Sequence, residues 1–404
     1  MSVLYLIFIA LSVYYSIRYD GIEEYDSHKQ HRLWLMCVYL VCLSGFSYGL
    51  GGDKFTYMTE FEYYPSTFSE AKVYLVTGIL TRGQMPLWIL VNLICKVFFG
   101  SFYALQLIES AVINIVVCYI ASKYTHRYFL FLLIYFFSLK YFIFNCEVMR
   151  EAFAIAFVSL GMHGYVNGKK WLFYVMLAVG IMFHISAATA IIFPFVRFRL
   201  SWNLLFISTA FAFLLWLFSD LLMGKVLAFA LGGFGAFTQK AIFYSLRSST
   251  IFGFIRSIIT YLVFPFITMY TVYLYEPDET RKKALKQFIS VMMVLGIIAG
   301  AFAGFSRVYN YILTPYMILF AEFIFITLRS HESLILRSGT VAGTLLLMFL
   351  PYFDYYKSTN SYFYEYYYPY TCILYEDNQV YVRQITHLES TGLGYKGNNI
   401  RVIE

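Results

Sequence analysis

Four ionisable residues fall where a membrane-embedded site would need them: Asp53, Arg150, His184 and Arg307, each at the end of an apolar run. An arginine fork grips phosphate or carboxylate oxygens bidentately, and an imidazole exchanges a proton near neutral pH. Together they are equipment for binding an anion and moving a proton. An unpaired charge in a transmembrane segment costs on the order of 3 kcal/mol, so such residues mark cavities, pathways or sites.

Arg150 stands in FNCEVMREAFAIAF, at the start of a helix, where its guanidinium adds to the positive helix end. The plainer alternative is an ion pair with Glu147, three residues earlier, or snorkelling to lipid headgroups. His184, in GIMFHISAATAIIF, is a polar ring followed by small residues that permit close helix packing. It can act as proton acceptor, or it can be a buried histidine bonded to a carbonyl. Arg307, in GAFAGFSRVYNYILTPY, lies between a Gly- and Ala-rich helix and a Tyr-rich one. A second arginine suits a substrate with two phosphates; an interface anchor is the alternative. Asp53 follows paired glycines in GGDKFTYM, and reads either as a group at the mouth of the helices or as an N-cap.

The elements that must position these residues are transmembrane helices. Hydrophobic residues make up 60% of the chain and charged residues 13%, outside the balance of a soluble domain. A bilayer core of about 30 Å needs roughly 20 apolar residues per helix. Such runs predict an all-α polytopic membrane protein with about 12 crossings, near residues 2–17, 33–50, 103–122, 128–145, 147–166, 171–183, 185–197, 202–222, 251–275, 287–304, 310–328 and 338–353. The first run lacks a basic leader and a cleavage site, so it is expected to be a retained helix. Residues 86–100 carry Asn92 and Lys96 and are too short to cross; a re-entrant or interfacial helix fits them. Residues 1–353 are thus expected to form one helical domain, followed by a Tyr-rich interfacial segment and polar tail over 354–404.

Charge sets the orientation. If the run 171–197 splits at His184, the loops 18–32, 123–127, 167–170, 197–201, 276–286 and 329–337 share one side and hold 15 Lys and Arg. The other side, 51–85, 146–150, 223–250 and 305–309, holds 8. The positive-inside rule makes the first set cytoplasmic. Asp53, Arg150, His184 and Arg307 then all reach the outer face.

Several classes are excluded by their missing motifs. The chain has no Walker A, no Rossmann glycine pattern, no HExxH, no GxSxG elbow and no Cys/His cluster at metal spacing. The six cysteines fall mostly in apolar runs and read as small buried side chains. A net charge of +7 is accounted for by cytoplasmic loops on anionic lipid and does not argue for nucleic acid.

The order GGDKFTYM, MPLWILVNLICK, NCEVMREAFAIAFVSLGMHGYVNGKKWLFY, GIMFHISAATAIIFPF, SRVYNYILTPY and YYPY resembles the EpsG-like family of Wzy-type polysaccharide polymerases over residues 45–370. Its most specific part is Arg150 followed one span later by FHISA around His184. The family often has an acidic residue before the proline of the re-entrant region, where this chain has Gln84. The resemblance implies a GT-C-type, metal-independent glycosyltransferase of the bacterial inner membrane that needs no cofactor. It would join oligosaccharide repeat units on undecaprenyl diphosphate to a growing polysaccharide at the outer face, for capsule, exopolysaccharide or O-antigen. A chain-length regulator and a flippase would be its partners, with membrane lipid around it. Arg150 and Arg307 would hold the diphosphate, and His184 or Asp53 would take the acceptor proton. An O-antigen ligase, a membrane O-acyltransferase and a polysaccharide flippase or transporter are the alternatives; no convincing internal repeat supports the last.

Overall fold

The computed structural model describes residues 3–82, 84–219, 222, 250–329, 337–345, 352, 366–374 and 383. The segment 223–249 and most of the segment after residue 353, both assigned outward by charge, lie outside the described residues. Apolar runs become helices, and capping residues set their ends. In chain order these are α1 (Val3–Tyr19), α2 (Ser27–Gly45), α3 (Asp53–Glu62), α4 (Phe68–Arg82), α5 (Pro86–Phe99), α6 (Phe102–Tyr124), α7 (Tyr128–Phe137), α8 (Lys140–Phe142), α9 (Met149–Val166), α10 (Lys170–Phe183), α11 (Trp202–Leu217), α12 (Ile251–Ile258), α13 (Phe264–Tyr275), α14 (Glu279–Ala301) and α15 (Asn310–Arg329). Asp26, Ser101, Ser201, Thr250 and Asp278 cap helix N-termini with their side chains. Gly100, at φ 63°, closes α5 in the left-handed conformation that glycine adopts without strain. No strand is present among the described residues.

Among the described residues four stretches are long and apolar enough to cross a bilayer: Phe102–Tyr124, Ile251–Tyr275, Glu279–Ala301 and Phe305–Arg329. The chain is a multi-pass membrane protein whose spans are less regular than the twelve expected. The crossing expected over 128–145 is bent by 75° between Tyr128–Phe137 and Lys140–Glu147. Leu139, at φ 61°, makes that corner, and a π-helical turn follows at Ile143–Glu147. The crossing expected over 185–197 is a 3-10 helix over Ile185–Ile192, which at about 2.0 Å per residue reaches only about halfway through the bilayer core. The expected break at His184 is present. The Phe193 ring returns to lie against Phe173 (5.7 Å) and Tyr165 (5.6 Å), so the two arms double back on one another.

Contacts divide the chain into two compact units, where the sequence reading has one helical domain over 1–353. Unit 1 comprises Met1–Ala156, Met182–His184 and His331–Glu404; unit 2 comprises Phe157–Ile181 and Ile185–Ser330. Unit 1 packs α2 closely on α6, where a Cβ on Gly45 would come within 2.6 Å of Leu107. Polar groups thread that interface. Gln106 donates to carbonyls at the end of α2, Ser44 (2.9 Å) and Gly45 (2.8 Å), and Asn114 donates to Asn145 (2.7 Å). Unit 2 also holds a close backbone approach. A Cβ on Gly296 of α14 would lie 2.3 Å from the Tyr261 carbonyl oxygen, so only glycine lets those backbones meet.

Two loops that charge assigned to one side come together in unit 1. In unit 1 the 18–32 and 123–127 loops are tied by Arg127 to Glu23 (2.7 Å) and by Lys29 to the His126 carbonyl (2.6 Å). In unit 2 Arg197 donates to Gln287 (2.7 Å), and the Phe198 amide to Ser290 (3.0 Å).

Candidate functional site

The site is framed by a glycine turn seated on the π turn that precedes Arg150. Gly51 has φ +84°, and a Cβ there would lie 2.7 Å from the Cys146 carbonyl oxygen, so glycine is required at the first of the paired positions of GGDK. Residues 366–373 seal the other edge of that turn. The Gly51 amide donates to Tyr366 (3.0 Å), Tyr48 to Thr371 (2.9 Å) and Ile373 to Phe46 (3.0 Å). Tyr366, Tyr367 and Tyr370 are buried here among α1 and the π turn, and Tyr5 donates to the Tyr367 carbonyl (2.9 Å). This described part of the Tyr-rich segment is core of unit 1.

Arg150 occupies the first turn of α9, as expected, and meets aromatic faces. Its Cζ lies 5.4 Å from the Tyr57 ring centre and 6.0 Å from that of Trp88. Burial raises the pKa of the Tyr57 phenol, while the Arg150 guanidinium, which also hydrogen-bonds it, pulls the other way. No ion pair joins Arg150 to Glu147 among the described residues; the Glu147 carboxylate accepts a hydrogen bond from Tyr367. The ion-pair reading of Arg150 is therefore corrected, and the guanidinium lies against two rings.

His184 stands at the break between α10 and the 3-10 helix, half-buried. An aromatic ladder ties this break to Arg150. Phe183 stacks on Phe153 (4.6 Å, 9°), Phe153 meets Trp88 edge-on (6.5 Å), and Trp88 meets Tyr57 (5.4 Å) beneath the guanidinium. Phe153 follows Arg150 by three residues on α9, so the ladder and the cation share one helix face.

Asp53 is exposed and is the first residue of α3, with Gly52 in the cap position and no side-chain cap bond. The N-cap reading is thus corrected: Asp53 contributes charge to the first turn and sits one turn before Tyr57. Arg307 is exposed in a 3-10 segment, Ala303–Tyr309, of unit 2, while the other three residues belong to unit 1. Gly296 and Gly300, in the helix before it, are spent on packing against Tyr261 and Ile258.

Sequence reasoning missed four polar residues in unit 1. Glu60 lies one turn beyond Tyr57 on α3, and its charge acts on Arg150. Trp88, 1% exposed, reads in sequence as an interface aromatic. Lys54 and Glu109 are fully buried beneath the glycine turn; Lys54 donates to Ser47 (3.2 Å), and neither carboxylate oxygen of Glu109 has a hydrogen-bond partner. The available signal was Glu109 itself, a lone acid within an apolar 23-residue helix. Gln84 accepts from Tyr64 (3.4 Å). Among the described residues no three His, Cys, Asp or Glu side chains cluster as metal ligands, and all six cysteines are free thiols.

Among known families, the EpsG family matches this chain over residues 32–372. No curated protein and no solved structure matches it.

Proposed function

Since this chain belongs to the EpsG family, we propose that its polysaccharide-polymerase-like function is glycosyl transfer from a lipid-diphosphate donor. The oligosaccharide repeat units would be carried on undecaprenyl diphosphate and joined at the outer face of the bacterial inner membrane. The observation that supports this reading most is Arg150: a half-buried guanidinium on a first helical turn, held by aromatic rings, with no carboxylate pairing it among the described residues.

In the reaction, the acceptor hydroxyl oxygen bonds to the anomeric carbon of the donor sugar. The bond from that carbon to the diphosphate oxygen breaks, and the electron pair leaves on the diphosphate. Arg150 stabilises the departing charge by bonds that strengthen as it develops. His184, tied to Arg150 by the aromatic ladder, takes the hydroxyl proton; exposed Asp53 is the second candidate in the same unit. Arg307 belongs to unit 2, and the proposal is built on unit 1 alone.

Arg150→Lys tests it. Lysine keeps the charge but loses the planar fork, so polymer yield per folded molecule should fall at least about tenfold. Wild-type polymer length and yield at equal protein level would sink the diphosphate role.

A further inference from the structure

Three hydrogen-bonding atoms on residues around the Arg150 guanidinium have no partner and are shielded from solvent: Arg150 Nε, Trp88 Nε1 and Glu60 Oε2. They come from three helices, α9, α5 and α3. Tyr57 is their common neighbour: its ring centre lies 5.4 Å from that of Trp88 and 5.4 Å from Arg150 Cζ, and Glu60 stands one turn further along α3. The Glu60 charge acts on both Arg150 and Tyr57. Buried polar atoms are nearly always bonded, so three orphans about one cation require an explanation.

The chemistry of the trio is specific. It offers two N–H donors and one carboxylate acceptor. A hydroxyl has one proton to give and two lone pairs to receive with, so it complements all three. A phosphate oxygen accepts both N–H bonds but has no proton for Glu60, and sets a second anion against it. The trio therefore matches a neutral hydroxyl better than it matches the phosphate that Arg150 alone suggests.

We propose that Glu60, Trp88 and Arg150 form a hydroxyl-recognition box that binds a sugar hydroxyl of the saccharide substrate. Tyr57 fixes the guanidinium by accepting a hydrogen bond from a terminal nitrogen and by ring contact, which leaves Nε for the hydroxyl and the other terminal N–H groups for the diphosphate. That the substrate is a saccharide rests on the polymerase reading above. The box ties sugar recognition to phosphate recognition through one arginine. A saccharide lacking that hydroxyl would strand buried polar groups and be rejected.

The test uses the full-length protein and, as probe, the lipid-diphosphate-linked single repeat unit purified from cells lacking this protein. Trp88→Phe keeps the ring and removes the N–H; Glu60→Gln keeps the shape and removes the charge. Losing a bond made equally in the ground and transition states raises KM and leaves kcat unchanged. KM should rise about 3- to 10-fold in Trp88→Phe and about tenfold or more in Glu60→Gln, with thermal unfolding unmoved. If Trp88→Phe fails to accumulate, Glu60→Gln carries the test by the same criterion. Unchanged KM at equal folded protein overturns the box and leaves ordered water as the partner of the trio. Arg150→Lys separates the two failures: loss of polymer there, with unchanged KM in the other variants, removes the box and keeps the polymerase reading. Full activity in all three variants removes both.

Discussion

Two clusters of ionised residues in unit 1 differ in what their charges meet. At the 18–32 and 123–127 loops and the first turn of α7, charges are consumed by the chain. Asp20 accepts from the Phe129 (3.2 Å) and Leu130 (2.8 Å) amides, Lys29 donates to the Ile22 (2.7 Å) and His126 (2.6 Å) carbonyls, and Arg127 reaches Glu23 (2.7 Å) and the Asp20 carbonyl. One atom there, Arg127 Nε, is unmet. At Arg150 the balance is reversed: the cation meets rings, and an indole N–H, a carboxylate oxygen and its own Nε are left over. The first arrangement is a clasp; the second holds hydrogen-bonding capacity in reserve.

The comparison predicts opposite phenotypes, and the largest is at His184. In His184→Ala the protein should remain folded and in the membrane, while polymer formation per molecule falls about 10²–10⁴-fold, the usual loss when a general base is removed. Single repeat units should then accumulate on the lipid carrier. If polymerisation per molecule is normal, His184 belongs with the clasp as a structural residue, and Asp53 becomes the acceptor-side candidate.

Arg127→Ala is the converse and should be smaller. Its guanidinium is 5% exposed, but its partner Glu23 is 69% exposed, so that ion pair contributes little by itself. The loss comes from the charged bond to the buried Asp20 carbonyl, about 1.5–3 kcal/mol. Thermal unfolding in detergent should shift downward by several degrees, with turnover per folded molecule unchanged. A variant of normal stability and impaired turnover would erase the distinction between the two clusters.

What was legible in the sequence follows the same line. Helical class and family follow from apolar runs and motif order. The break at His184 follows because a long run with a central histidine and a charge asymmetry allows few topologies, and the return of Phe193 to Phe173 shows the doubling back. Arg150 was legible because an arginine within apolar sequence is costly. The bend at Leu139 was not: no Pro or Gly marks it, and a leucine at positive φ is held there only by its buried surroundings. Nor were Glu60 and Trp88 legible as site residues. In sequence they are an ordinary polar position and an ordinary interface aromatic, and only the folding of α3 and α5 beside Arg150 leaves their polar atoms unmet.

The clasp is also tested through pH. Burial raises the Asp20 carboxyl from 3.8 to about 6, against the pull of the Leu130 amide, the Ser16 hydroxyl, the Phe129 amide and the Lys29 charge. The folded state therefore holds a proton that the unfolded chain has released. Where the folded state binds more protons, stability falls as pH rises, so this group makes the protein most stable below about pH 4 and progressively less so up to about pH 6. Above that window the cost is constant. One proton limits the slope to about 1.4 kcal/mol per pH unit, and other carboxylates titrating nearby superimpose their own slopes. The readout is accordingly the difference between wild type and Asp20→Asn. Asparagine cannot ionise, so unfolding temperature measured between pH 4 and pH 6 should fall more steeply for wild type than for the variant. The difference between the two should stop growing above about pH 6. Parallel curves would mean that the clasp holds Asp20 as an ordinary ionised carboxylate, its desolvation offset by Lys29 and the two amides. The clasp would then be a fully compensated charge cluster, and its contrast with Arg150 would be complete.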